Sequence, residues 1–94
     1  MTDTNSATRT LAIGSSHGLH ARPAKLFVQE VTASGASVTI AKGDGKAVNA
    51  ASMLMLISQG INHGDEVTVT VTGDDAEQIA DRLAEFLSTD HYEA

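Results

Sequence analysis

Ninety-four residues with twelve acidic and six basic side chains carry a formal net charge of −6 and contain no cysteine. That length supports one small core, and the missing thiols exclude a disulfide framework or a thiolate metal site. An acidic chain with three aromatic residues also lacks the dense basic surface and stacking rings that nucleic-acid binding uses.

The charge is unevenly spread: residues 1 to 47 hold five basic and three acidic side chains, and residues 48 to 94 hold one and nine. A partner that meets the first half is therefore expected to be acidic. The domain assignment is one unit over 1–94, with residues 1–7 read as a disordered lead-in. No apolar leader core is present, and no apolar run approaches the ~20 residues of a membrane span. A cytoplasmic protein without membrane insertion is expected.

From Thr8 to Ile13 polar and apolar residues alternate, placing Leu11 and Ile13 on one face of a strand. Gly14 to Gly18 is a polar loop. The loop delivers the chain to Gly18-Leu19-His20-Ala21-Arg22-Pro23-Ala24, the most informative stretch of the sequence. Proline lacks an N–H and has a fixed φ, so it suits the first turn of a helix, which puts His20 at the N-cap. Helix N-termini have unpaired amides and the positive end of the dipole, a setting that favours an oxyanion. The amides of Ala21 and Arg22 are then free for a phosphoryl group. The Arg22 guanidinium can bond its oxygens, and the imidazole is a nucleophile at neutral pH. On chemistry alone, a capping histidine beside a solvated arginine explains the same residues equally well.

Beyond Pro23, Ala24, Phe27, Val28 and Val31 recur at helical spacing, and Ser34-Gly35 stops the helix. Residues 37–41 alternate as a second strand, and Asp44-Gly45 signals a hairpin to a short strand at residues 47–49. The run Ser52-Met53-Leu54-Met55-Leu56-Ile57 reads as a short helix opening near Ser52. Adjacent helical residues diverge by about 100°, so two of Met53, Leu54 and Met55 are expected to point outward. An outward apolar set, with Lys25 and Arg22 nearby, suits a docking surface.

Val67 to Thr72 alternates as the clearest strand, valines inward. Asp74 and Glu77 have capping-box spacing before a stripe of Ala76, Ile79, Ala80, Leu83 and Leu87. The order β-α-β-β-α-β-α implies an α+β two-layer sandwich, an open-faced sheet covered by helices on one side. Four histidines lie in a loop, a helix start, a turn and a tail, which is not zinc-ligand spacing, so neither a metal nor another cofactor is expected. A nucleophile elbow and a glycine-rich nucleotide loop are absent as well.

The stretch Gly18 to Ala24 resembles the active-site motif of the HPr family, histidine-containing phosphocarriers of the bacterial phosphoenolpyruvate-dependent sugar phosphotransferase system. The element order from about Thr8 to Leu87 is similar to that fold too. The resemblance implies a four-stranded antiparallel sheet of order 1-4-2-3 with three helices on one face. It implies a carrier, not an enzyme, whose His20 accepts phosphate from phosphorylated enzyme I and donates it to the A-domain of a sugar-specific enzyme II. Arg22 then stabilises the phosphate, and a carrier that alternates between partners is expected to be a monomer.

The family has a second site, a serine opening the short helix, which a dedicated serine kinase phosphorylates in Gram-positive relatives. Ser52 falls on it, although many relatives have a basic residue where this chain has Ala51. A serine at a helix start is in any case a routine N-cap, the reading favoured here. A paralogue serving nitrogen regulation or fructose shares the motif. A purely regulatory module that docks through Met53, Leu54 and Arg22 has no need of the nucleophile.

Overall fold

A computed structural model describes residues 6–14 and 21–89, the side chains of 21–23 excepted. The chain runs β1 (Ser6–Ala12), α1 (Ala21–Ser34), β2 (Ser37–Lys42), β3 (Val48–Asn49), α2 (Met53–Ser58), β4 (Glu66–Thr72) and α3 (Ala76–Ser88). The strands form one antiparallel sheet of order β1-β4-β2-β3, with the three helices on one face. Among the described residues no helix is long and apolar enough to cross a membrane.

Period two decides the faces. Val67, Val69 and Val71 of β4 are fully buried, as are Ile40 and, nearly so, Val38 of β2. Their neighbours Thr39, Thr68, Thr70 and Thr72 face the other way, where Thr8 meets Thr70 and Thr10 meets Thr68 hydroxyl to hydroxyl at 3.4 and 3.1 Å. On β1 the inward positions are Ala7, Arg9, Leu11 and, just past its end, Ile13. Arg9 escapes burial because β1 is an edge strand: its Nε reaches α3 and donates to Asp81 Oδ1 at 2.8 Å. Both partners are solvated, so the pair is worth at most about 1 kcal/mol.

The helices cover this face with the stripes expected of them. Ala24, Phe27 and Val31 of α1 and Ala76, Ala80, Leu83 and Leu87 of α3 are all buried. The Phe27 and Phe86 rings meet between those helices, centroids 6.0 Å apart and planes tilted by 38°. After α1, Gly35 takes φ +73°, the left-handed turn that glycine makes without steric cost.

Two expectations require correction. Ser6 and Ala7, assigned to the disordered lead-in, belong to β1: Ser6 pairs with Thr72 and Ala7 with Val71, and Ala7 is in the core. Serine and alanine carry little strand signal, but the length of β4 supplies partners for them. The capping box of Asp74 and Glu77 does not form. Asp75 is the N-cap instead, in a left-handed conformation (φ 59°, ψ 29°) with no side-chain capping bond. An N-cap reaches the first amides from the extended region, which Asp75 does not occupy.

Candidate functional site

α1 opens at Ala21, directly after His20, with Arg22 and Pro23 in its first turn and no acidic residue there to neutralise the helix end. His20 and the loop before it lie outside the described residues, as do the side chains of Ala21 and Arg22. The route into that loop is described. Ile13 N–H donates to Asp65 O and Gly64 N–H to Ile13 O, both at 2.9 Å, and Gly14 N–H donates to Leu87 O at 2.8 Å. Gly14 has to be glycine: a Cβ there would collide with the backbone carbonyl of Ser88. The chain therefore leaves β1 fixed between the C-terminal end of α3 and the turn that precedes β4.

α1 packs against α2. Lys25, on α1, is exposed. α2 is six residues long and starts at the N-cap Ser52, whose Oγ accepts from Met55 N–H at 3.3 Å. The capping reading of that serine thus has a direct geometric basis. Leu56 is fully buried, and Met53, one turn earlier on the same side, leans against the core. Leu54, Met55 and Ile57 are exposed by 79%, 43% and 38%.

Two of the three residues 53–55 do point outward, and they are Leu54 and Met55. Of the expected docking pair, Leu54 is open to a partner and Met53 is half-buried. The i, i+3 relation of Met53 to Leu56 was the signal that separates them, and it becomes usable once Leu56 is known to be the core residue. Ile57, equally readable from sequence as core, joins the exposed set.

At the other end of α2, Lys42 of β2 donates from Nζ to Gly60 O at 2.9 Å and lies 3.3 Å from Asp65 Oδ2. The same Oδ2 accepts Asn62 N–H at 2.8 Å. The Asn62 amide, first, and the Lys42 ammonium hold the Asp65 carboxyl below the ordinary aspartate value of 3.8, outweighing partial burial, which acts in the opposite direction.

Because its folded value is the lower one, Asp65 stabilises the fold above the ordinary carboxylate range. That contribution is lost as pH falls through the depressed folded value. Asp65→Asn is therefore expected to melt below wild type at neutral pH and to converge with it in acid. A gap in melting temperature that stays constant across that acid range would remove the charge from the account.

Comparison with known proteins agrees with this architecture. The family described as PTS HPr component phosphorylation site matches residues 7–89. The phosphocarrier protein HPr of Streptomyces coelicolor is 45% identical over 82 residues, covering 87% of this chain and 88% of that one. The HPr-like protein Crh of Bacillus subtilis is 43% identical over 70 residues, covering 74% and 81%. The crystal structure of a phosphocarrier protein HPr from Bacillus anthracis superposes with a TM-score of 0.82 at 39% identity, covering 87% of this chain and 96% of that one. With matching sequence, sheet order and helix placement, the chain belongs to the HPr family of phosphocarrier proteins.

Proposed function

We propose that this protein carries a phosphoryl group on His20 between enzyme I and the A-domain of a sugar-specific enzyme II. The observation that carries the reading is the position of the motif: a histidine directly before a helix start whose first turn contains Arg22 and Pro23 and no carboxylate. The first imidazole nitrogen of His20 attacks the phosphorus of the donor's phosphohistidine. A P–N bond forms as the donor's P–N bond breaks, and the same exchange in the other direction loads the acceptor. Free amides at Ala21 and Arg22 and the Arg22 guanidinium spread the phosphate charge. A site that uses free amides and one arginine can release its cargo as well as accept it. No metal or cofactor enters the exchange.

Docking is assigned to Leu54 and Met53 of α2 together with Lys25, exposed on the neighbouring α1. The exposure of Leu54 supports this, since a large apolar side chain bared on a short helix marks a contact surface. Leu54→Glu is expected to raise the apparent KM for the donor with little change in melting temperature, because the side chain leaves no core contact behind. An unchanged KM would take α2 out of the docking surface. Ser52 serves as the cap of α2. A serine kinase acting on it would set a dianion beside Leu54 and weaken docking to an acidic partner.

The carrier reading is tested by incubating the protein with enzyme I and phosphoenolpyruvate. Intact mass should show one acid-labile phosphate. A regulatory module that only docks predicts none.

A further inference from the structure

We infer that Lys42 and Asp65 form a clamp that holds the exposed face of α2 in register with the strand exit leading to His20, which makes Lys42 a positioning residue for phosphoryl transfer. The inference rests on the carrier reading above.

α2 is too short to fix its own direction, because a helix of fewer than two turns gains little from its own hydrogen bonds. It is pinned in the middle by Leu56 and at its start by Ser52. Beyond its end the chain descends to Ile61, which is fully buried. No basic residue occupies the last turn, so the helix does not supply a cation to its own carbonyl end. Lys42 supplies one from β2.

The clamp is built at a single turn. Gln59 and Gly60 amides close the helix on Leu56 O and Ile57 O at 3.2 and 3.1 Å. Three residues beyond Ile57, Gly60 O takes the Lys42 ammonium at 2.9 Å and Asn62 Nδ2 at 3.2 Å. Lys42 is held in place by Asp65 Oδ2, which also fastens Asn62 N–H. The backbone of that same turn, through Asp65 O and Gly64 N–H, grips Ile13. The Lys42 side chain thereby ties the end of the docking helix to strand β2, and the backbone of the turn that contains Asp65 carries the link on to the exit of β1. A partner that rests on Leu54 while exchanging phosphate at His20 needs those two parts at a fixed separation.

The ion pair is half exposed and weak by itself. The charged hydrogen bond to a backbone carbonyl adds more. Phosphorylation kinetics with enzyme I and phosphoenolpyruvate should therefore show that Lys42→Met raises the KM for this protein about fivefold, with kcat within about twofold. Lys42→Arg, which keeps the charge and donors, should restore the KM. In the double variant with Asp65→Asn the loss should be no greater than the larger single loss, as for two parts of one clamp. An unchanged KM in Lys42→Met, or a fall in kcat that tracks the unfolded fraction, overturns the inference.

A wild-type protein that takes no phosphate would refute the carrier reading and leave the clamp to a second readout. Amide hydrogen exchange in Lys42→Met should quicken across residues 54–60 and stay unchanged at 67–71. Equal rates in both proteins at both segments would refute the clamp on its own terms.

Discussion

His20→Ala is expected to abolish phosphorylation outright. A carrier has a single covalent attachment point, so removing the nucleophile leaves nothing for binding energy to act on. Intact mass of the wild type after treatment with enzyme I and phosphoenolpyruvate should show one added phosphate, lost on acidification, and His20→Ala should show none. Arg22→Ala marks the contrast in the same assay. On the proposed reading it removes charge stabilisation and leaves the P–N bond available, so labelling is expected to slow but to reach the same stoichiometry. Label that survives His20→Ala would place the phosphate elsewhere and remove the basis for reading the start of α1 as the site.

Phe27→Ala is expected to cost the most stability of any single truncation, about 3–5 kcal/mol. The ring is fully buried between α1 and the sheet and is met by Phe86 from α3. Its loss opens a cavity where two helices and the sheet converge. For a domain of this size each kcal/mol moves the melting temperature by about 4–8 °C, so a fall of more than about 10 °C should appear in a thermal melt followed by circular dichroism. Phe27→Leu should recover most of it, because the volume lost is smaller. A shift of only a few degrees for Phe27→Ala would mean that α1 is held chiefly by its contacts with α2. Under the proposed function the consequence is local, since a loosened α1 no longer holds its first turn, Ala21 to Ala24, in place.

Much of this fold was legible in the sequence because its elements are strongly periodic. Val67, Val69 and Val71 alternate with threonines, and the Ala76 to Leu87 stripe has a clean helical period; each signal depends on one face of one element. What periodicity does not contain is pairing. The 1-4-2-3 order came from resemblance, and Ser6 and Ala7 entered the sheet only because β4 had partners to offer. The missing capping box has the same origin, since a spacing of three between Asp74 and Glu77 says nothing about the left-handed turn at Asp75.

At the site, the motif on its own left a capping histidine and a nucleophile equally open, and only its resemblance to a known family separated them; the orientation of α2 was not legible at all. Met53 and Leu54 are equivalent in a string and differ only once Leu56 is placed. The Lys42–Asp65 pair was invisible for the same reason, as it joins residues from opposite ends of two loops.

The strand order also decides when in its synthesis the chain can become a protein. Among the described residues β4 is the sixth of seven elements to be made, yet β1 and β2 both bond to it, and of the described pairings only β2 with β3 forms without it. Until Thr72 has left the ribosome, β1 has no neighbour and the apolar stripe of α1 has only the β2–β3 pair to cover. Such distant pairing delays folding until β4 has emerged. The stretch around His20, made well before β4, thus waits on its scaffold, and a nascent chain stalled before β4 carries the motif without the strand that joins β1 to the rest of the sheet.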